Sequence, residues 1–163
     1  MKTGSNHTRQ LIRGFCLCGA GAILIYLTGC ATTGSIYQAT ATSTNDAAVV
    51  SGTLKPFIWL RKATLQSVDG VPVGFWQAQS TSPILIDPGP RALFVRGQYV
   101  RFWSHGDAYA ELKATLKAGH TYQIKVELQK QSMTFWVEDL ANHEAVCNPQ
   151  TSQASWIINA GGI

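Results

Sequence analysis

From about Ala48 onward the sequence predicts one all-β domain, a single antiparallel β-sandwich of about seven or eight short strands. Three observations carry this. Apolar and polar residues alternate with a period of two in several stretches, most clearly in "YAELKATLKAGHTYQIKVELQ". Turn residues such as Asp69-Gly70, Asp87-Pro88-Gly89 and Ala118-Gly119 punctuate the chain at intervals of roughly ten residues. No apolar pattern of helical period occurs beyond the first thirty residues.

The elements follow in order. "FIWLRKATLQSV" reads as a strand ending at the turn residues Asp69-Gly70. "SPILI" runs into Asp87-Pro88-Gly89, where proline presets φ and glycine accepts a positive φ. "RALFVRGQYVRFW" is a long strand with Gly97 as a bulge or bend. Next, Ala110, Leu112, Ala114 and Leu116 alternate with polar residues, as do Tyr122, Ile124, Val126 and Leu128. With Gly119 between them, these predict an antiparallel hairpin with one buried face. "SMTFWVEDL" and "HEAVC" predict a closing hairpin around Ala141-Asn142. The end, "NPQTSQASWIINAGGI", has no evident partner and reads as a loose tail pinned by Trp156-Ile157-Ile158.

The first thirty residues are of another kind. Lys2, Arg9 and Arg13 form a basic start without an acidic residue. The apolar run from Phe15 to Leu27 spans about 13 residues, whereas crossing a bilayer takes about 20. It ends in Leu27-Thr28-Gly29-Cys30. This pattern resembles the lipobox of bacterial lipoproteins. The resemblance implies cleavage before Cys30, lipid on its sulfur and acylation of the new amino terminus, which would anchor the chain to a membrane. Ala31, rather than aspartate, follows the cysteine, and by the same resemblance this favours the outer membrane, with the domain facing the periplasm. The alternative is an uncleaved anchor helix.

Removing residues 1–29 changes the composition. Of the 13 basic residues ten remain against nine acidic ones, so most of the formal charge of +4 belongs to the leader. A nearly neutral chain without a basic cluster gives no case for nucleic acid. Of the four cysteines, the resemblance implies that Cys16 and Cys18 leave with the leader and that Cys30 carries lipid. Cys147 then has no partner in its own chain, and a pairing with another chain stays open. The expected organisation is a signal peptide (1–29), a lipidated cysteine and flexible tether (30–47), the sandwich (48–148) and a C-terminal tail (149–163). A tether of about 17 residues would have a root-mean-square reach of about 20–25 Å.

"SVDGVPVG", "ILIDPGPRALFV" and "LKAGHTYQIKVEL" together resemble PEGA-type and transthyretin-like sandwich domains of bacterial surface proteins. The likeness covers about Leu65 to Leu128 and lies in turn and strand chemistry; the four-residue motif that names the PEGA family is absent. It implies a sandwich used for binding, spacing or assembly, and it brings no catalytic residues.

Candidate chemistry is sparse. "WSHGDAY" sets Ser104, His105 and Asp107 together, but residues so close in sequence seldom converge as a nucleophilic triad, and a polar turn is the simpler reading. His105, Asp107, His120, His143, Glu144 and Cys147 lack close metal-ligand spacing, so no metal or cofactor is expected. Glu138 and Asp139 are adjacent on a strand and point to opposite faces. The aromatics Trp59, Trp76, Phe102, Trp103, Trp136 and Trp156 are expected mostly in the core. Phe75 and Trp76, in the loop-like "PVGFWQAQSTS", are the candidate surface-contact pair. The function expected is therefore non-enzymatic: a lipid-anchored module that binds another envelope protein or supports an assembly. A glycan- or peptidoglycan-binding module using exposed tryptophans is the alternative.

Overall fold

A computed structural model describes residues 34–56, 60–101 and 104–158. From Ser35 on, these belong to one compact unit. It is a two-layer β-sandwich. The strands are β1 (Ala48–Ser51), β2 (Thr53–Pro56), β3 (Leu60–Val68), β4 (Val71–Pro72), β5 (Ile84–Ile86), β6 (Gly89–Arg101), β7 (Ser104–Leu116), β8 (Thr121–Gln129), β9 (Ser132–Asp139), β10 (Glu144–Ala145), β11 (Gln150–Gln153) and β12 (Ser155–Ile158). One sheet runs β10-β9-β8-β1-β5, with β11 also on β9; the other runs β12-β7-β6-β3-β2, with β4 also on β3. Pairing is antiparallel except between β1 and β8.

The alternation seen in the sequence sets the core. Leu93, Val95, Leu112, Ala114 and Leu116 from one sheet face Ile124, Phe135, Val137, Val50 and Ile86 from the other, all of them buried. Full burial of each such aliphatic side chain contributes about 1.5–3 kcal/mol. The core is mainly aliphatic, with Phe135 and Tyr122 as its large fully buried rings. Trp156 is half-buried and packs against this core, Trp136 is half-buried, and Trp76 is exposed, as expected of the candidate surface pair. The expectation that most of the aromatics fill the core is thus corrected at Trp136; Trp59, Phe102 and Trp103 lie outside the described residues.

The expected hairpin at Gly119 is a different structure. β7 pairs with β6 and β12, and β8 pairs with β9 and β1, so the turn carries the chain from one sheet to the other. Both strands keep the predicted inward residues, because each presents one face to the same core. A period of two reports burial and leaves the pairing partner open. The corner is fixed by buried Tyr122, whose hydroxyl accepts the Lys117 N–H at 2.9 Å, the arrangement of a tyrosine corner. Gly119, at φ +74°, donates its N–H to Ala47 O.

Gly97 is no bulge. It pairs in unbroken register with Ala63 and Ala108, and a Cβ there would lie 2.6 Å from the Phe135 ring. The small residue makes room for the opposite sheet. The irregularity lies in β3, between Leu65 and Ser67. The Asp69-Gly70 turn forms as expected, with φ of +50° and +80°, the backbone that a two-residue hairpin requires. The closing hairpin also forms, β10 pairing with the end of β9.

Both ends of the described chain stitch the layers together. β1 joins one sheet, Gly52 turns, and β2 joins the other. A Cβ on Gly52 would meet Ala63 O at 2.2 Å, so this crossing admits only glycine. The tail repeats the device. β11 pairs with β9, and after Ala154 β12 pairs with β7. The sandwich therefore extends through Ile158, and residues 150–158 are not a loose tail. Nor is all of 30–47 a free tether. Asp87 accepts hydrogen bonds from Thr40 N (2.8 Å), Thr40 Oγ1 (2.6 Å), Ala41 N (3.1 Å) and Tyr37 Oη (3.3 Å), while Tyr37 N donates to Pro72 O. From Tyr37 the segment lies on the domain.

Candidate functional site

The candidate pair Phe75–Trp76 sits in a short helix, α1 (Phe75–Gln79), where a loop was expected. Five residues cannot sustain a helix on their own account, since nucleation costs more than so few hydrogen bonds return. Tertiary contacts hold it. Gly74 N–H donates to Gln77 Oε1 at 2.9 Å and Ala78 N–H to Gly74 O at 2.8 Å. Gln66, the extra residue of the β3 bulge, donates from Nε2 to Ala78 O at 2.8 Å, and Lys62 Nζ donates to Gln79 O. Ala78 packs on the core. The bulge thus turns a side chain outward to fasten α1 over the outer face of β3.

This mounting leaves the two rings in solvent: Phe75 is 68% exposed and Trp76 81%. Their centroids are 5.2 Å apart and the planes meet at 76°. Ile36, 55% exposed, lies next to Gly74, the residue before Phe75, its Cγ2 3.9 Å from where a Gly74 Cβ would be. A third exposed apolar side chain thus stands at the N-terminal end of α1. Ile36 escaped the sequence reading because it falls in a segment read as tether.

A second aromatic group lies on the outward face of β6 and β7, also missed. Phe94 and Tyr109 stack at 5.8 Å and 12°. The Arg96 guanidinium lies 5.9 Å from the Tyr109 centroid and bonds Asp107 at 3.0 Å. The signal was present in the alternation, which puts Phe94 and Arg96 at outward positions of β6.

The residues weighed for chemistry are spread apart. Ser104, His105 and Asp107 lie within β7, not in a turn. Ser104 and His105, as neighbours on a strand, point to opposite faces, and Asp107 engages Arg96. Glu138 and Asp139 also diverge. Glu138 meets Lys125 at 3.1 Å and His143 at 3.3 Å, whereas buried Asp139 takes His120 Nδ1 at 2.7 Å and Ala141 N–H at 2.9 Å. The Ala141 N–H, then the His120 ring, hold the Asp139 carboxyl below its usual range. A depression of about 350 Å³ lined by His120, Thr121, Leu140 and Ala141 adjoins this pair. Asp139 orients the His120 ring, but no hydroxyl or thiol bonds that ring among the described residues. Its evident work is to tie the start of β8 to the end of β9.

Cys147 is free and half-buried, with its sulfur accepting Val137 N–H at 3.2 Å. Burial pushes its thiol pKa up. No three His, Cys, Asp or Glu side chains among the described residues gather as a metal site. No helix among them is long and apolar enough to cross a membrane. Cys30 lies outside the described residues. The chain matches no protein-family model, no curated protein and no solved structure.

Proposed function

We propose that this chain is a lipid-anchored envelope protein whose sandwich acts without catalysis, binding another envelope component or supporting an assembly at the outer membrane. One observation carries the reading: Leu27-Thr28-Gly29-Cys30 stands directly after a basic start and an apolar run of secretory length. The likeness of residues 65–128 to PEGA-type and transthyretin-like domains supports a binding or spacing role. The β-sandwich and the exposed Phe75–Trp76 pair are compatible with it.

The anchor is tested by feeding cells an alkyne-tagged fatty acid: the chain takes the label and Cys30→Ser does not. The role is tested by crosslinking the protein in its own membrane. Recovery of one defined envelope protein supports it, and recovery of the chain alone contradicts it. The exposure of Trp76 also favours a glycan-binding reading, in which purified peptidoglycan retains the protein and Trp76→Ala releases it.

A further inference from the structure

We infer that Ile36, Phe75 and Trp76 form a wedge that seats in the headgroup–acyl boundary of the bilayer holding the lipid, so that the domain lies on its membrane in a fixed orientation. The inference rests on the lipid-anchor reading of Cys30.

Four observations lead to it. The first is distance along the chain. Only residues 31–35 separate Cys30 from Ile36, and six residue steps reach at most about 20–22 Å. The docking of Tyr37, Thr40 and Ala41 onto Pro72 and Asp87 uses up the rest of the former tether. The apolar group therefore stands at the foot of the leash, near the bilayer surface wherever those residues run.

The second is charge. Residues 31–45 and 70–86 contain no Asp, Glu, Lys or Arg. The segments that carry the three side chains can approach the boundary without desolvating an ion of their own. The third is ring geometry. Planes meeting at 76° present a ridge, not a common platform for a sugar ring. Tryptophan also favours the interfacial zone, where its ring is apolar and its N–H stays wet.

The fourth is rigidity. Gln66 and Lys62 fasten α1 from behind, so the rings are held outward and lose little freedom on insertion. A lipid chain fixes position but allows the domain to tumble. A second, weaker contact beside it selects one orientation, which leaves the opposite end of the sandwich for a partner.

The test uses the full chain isolated from membranes and reconstituted in phosphatidylethanolamine–phosphatidylglycerol vesicles containing lipids brominated near the headgroup. Tryptophan emission is compared between the wild type and Trp76→Phe, with thermal melting to verify that this exposed substitution leaves the fold intact. The expected result is a bromolipid-quenched component in the wild type that is lost in Trp76→Phe. Equal quenching in the two proteins overturns the proposal and leaves the patch to a protein or glycan. The mass of the N-terminal peptide reports separately on Cys30. Lipid on Cys30 without Trp76 quenching refutes the wedge alone. Trp76 quenching in a chain with unmodified Cys30 refutes the anchor alone.

Discussion

Three aspartates show how single residues set this fold. Asp69 accepts Ala92 N–H and Arg91, Asp87 gathers Thr40, Ala41 and Tyr37, and Asp139 takes Ala141 N–H and His120. Hydrogen bonds hold each carboxyl below its usual range, led by the Ala92 N–H, the Thr40 hydroxyl and the Ala141 N–H respectively. A carboxyl whose folded pKa is depressed stabilises above its unfolded value and loses that contribution as pH falls through the folded one. Resistance to urea should therefore decline below about pH 4, and Asp139→Asn should flatten that decline, as read from denaturation midpoints. Asp87→Ala should cost about 1–3 kcal/mol and free the segment around Tyr37–Ala41, seen as new protease cleavage there with the sandwich intact. Gly52→Ala should be worse than either. Its Cβ meets a backbone oxygen that cannot swing away, and the expected loss exceeds about 3 kcal/mol in the same denaturation experiment.

At the scale of elements, what could be read from the sequence was whatever depends on neighbours along the chain. Strand alternation, the Asp69-Gly70 turn, the bend at Pro88 with its positive φ at Gly89, and the closing hairpin are local, and the structure has them. Pairing is not local. Residues 110–128 looked like a hairpin because alternation is identical whether a turn folds a strand back within its sheet or carries it across to the other. Buried Tyr122 decides the matter through a bond to Lys117 that sequence spacing did not announce. Tyr122→Phe should cost about 1 kcal/mol, measured by urea unfolding. The tail was illegible for a related reason. "QTSQASWII" has little apolar periodicity, since β11 and β12 are edge strands that complete two sheets by backbone bonding. Deleting residues 150–163 should expose the edges of β9 and β7 and cause aggregation, detectable by light scattering. Helix α1 was hidden because five residues are too few to show a period, and long-range bonds from Gln66 and Lys62 make it.

For the molecule as a whole, the candidate site was half legible. Phe75 and Trp76 stood out as adjacent rings in an uncharged stretch, while Ile36 comes next to Gly74 only through the docking of the N-terminal segment. In the proposed lipid-anchored protein, that docking shortens the leash. A tether of about 17 residues would have a root-mean-square reach of about 20–25 Å, and six steps from Cys30 to Ile36 would have one of about 12–15 Å. The proposed anchoring depends on Cys30. Its most direct test is the mass of the N-terminal peptide of the protein isolated from bacterial membranes. The expected result is a peptide beginning at Cys30, with a diacylglyceryl group on sulfur and an acyl group on nitrogen. A peptide retaining residues before Cys30, or one with an unmodified thiol, would contradict it.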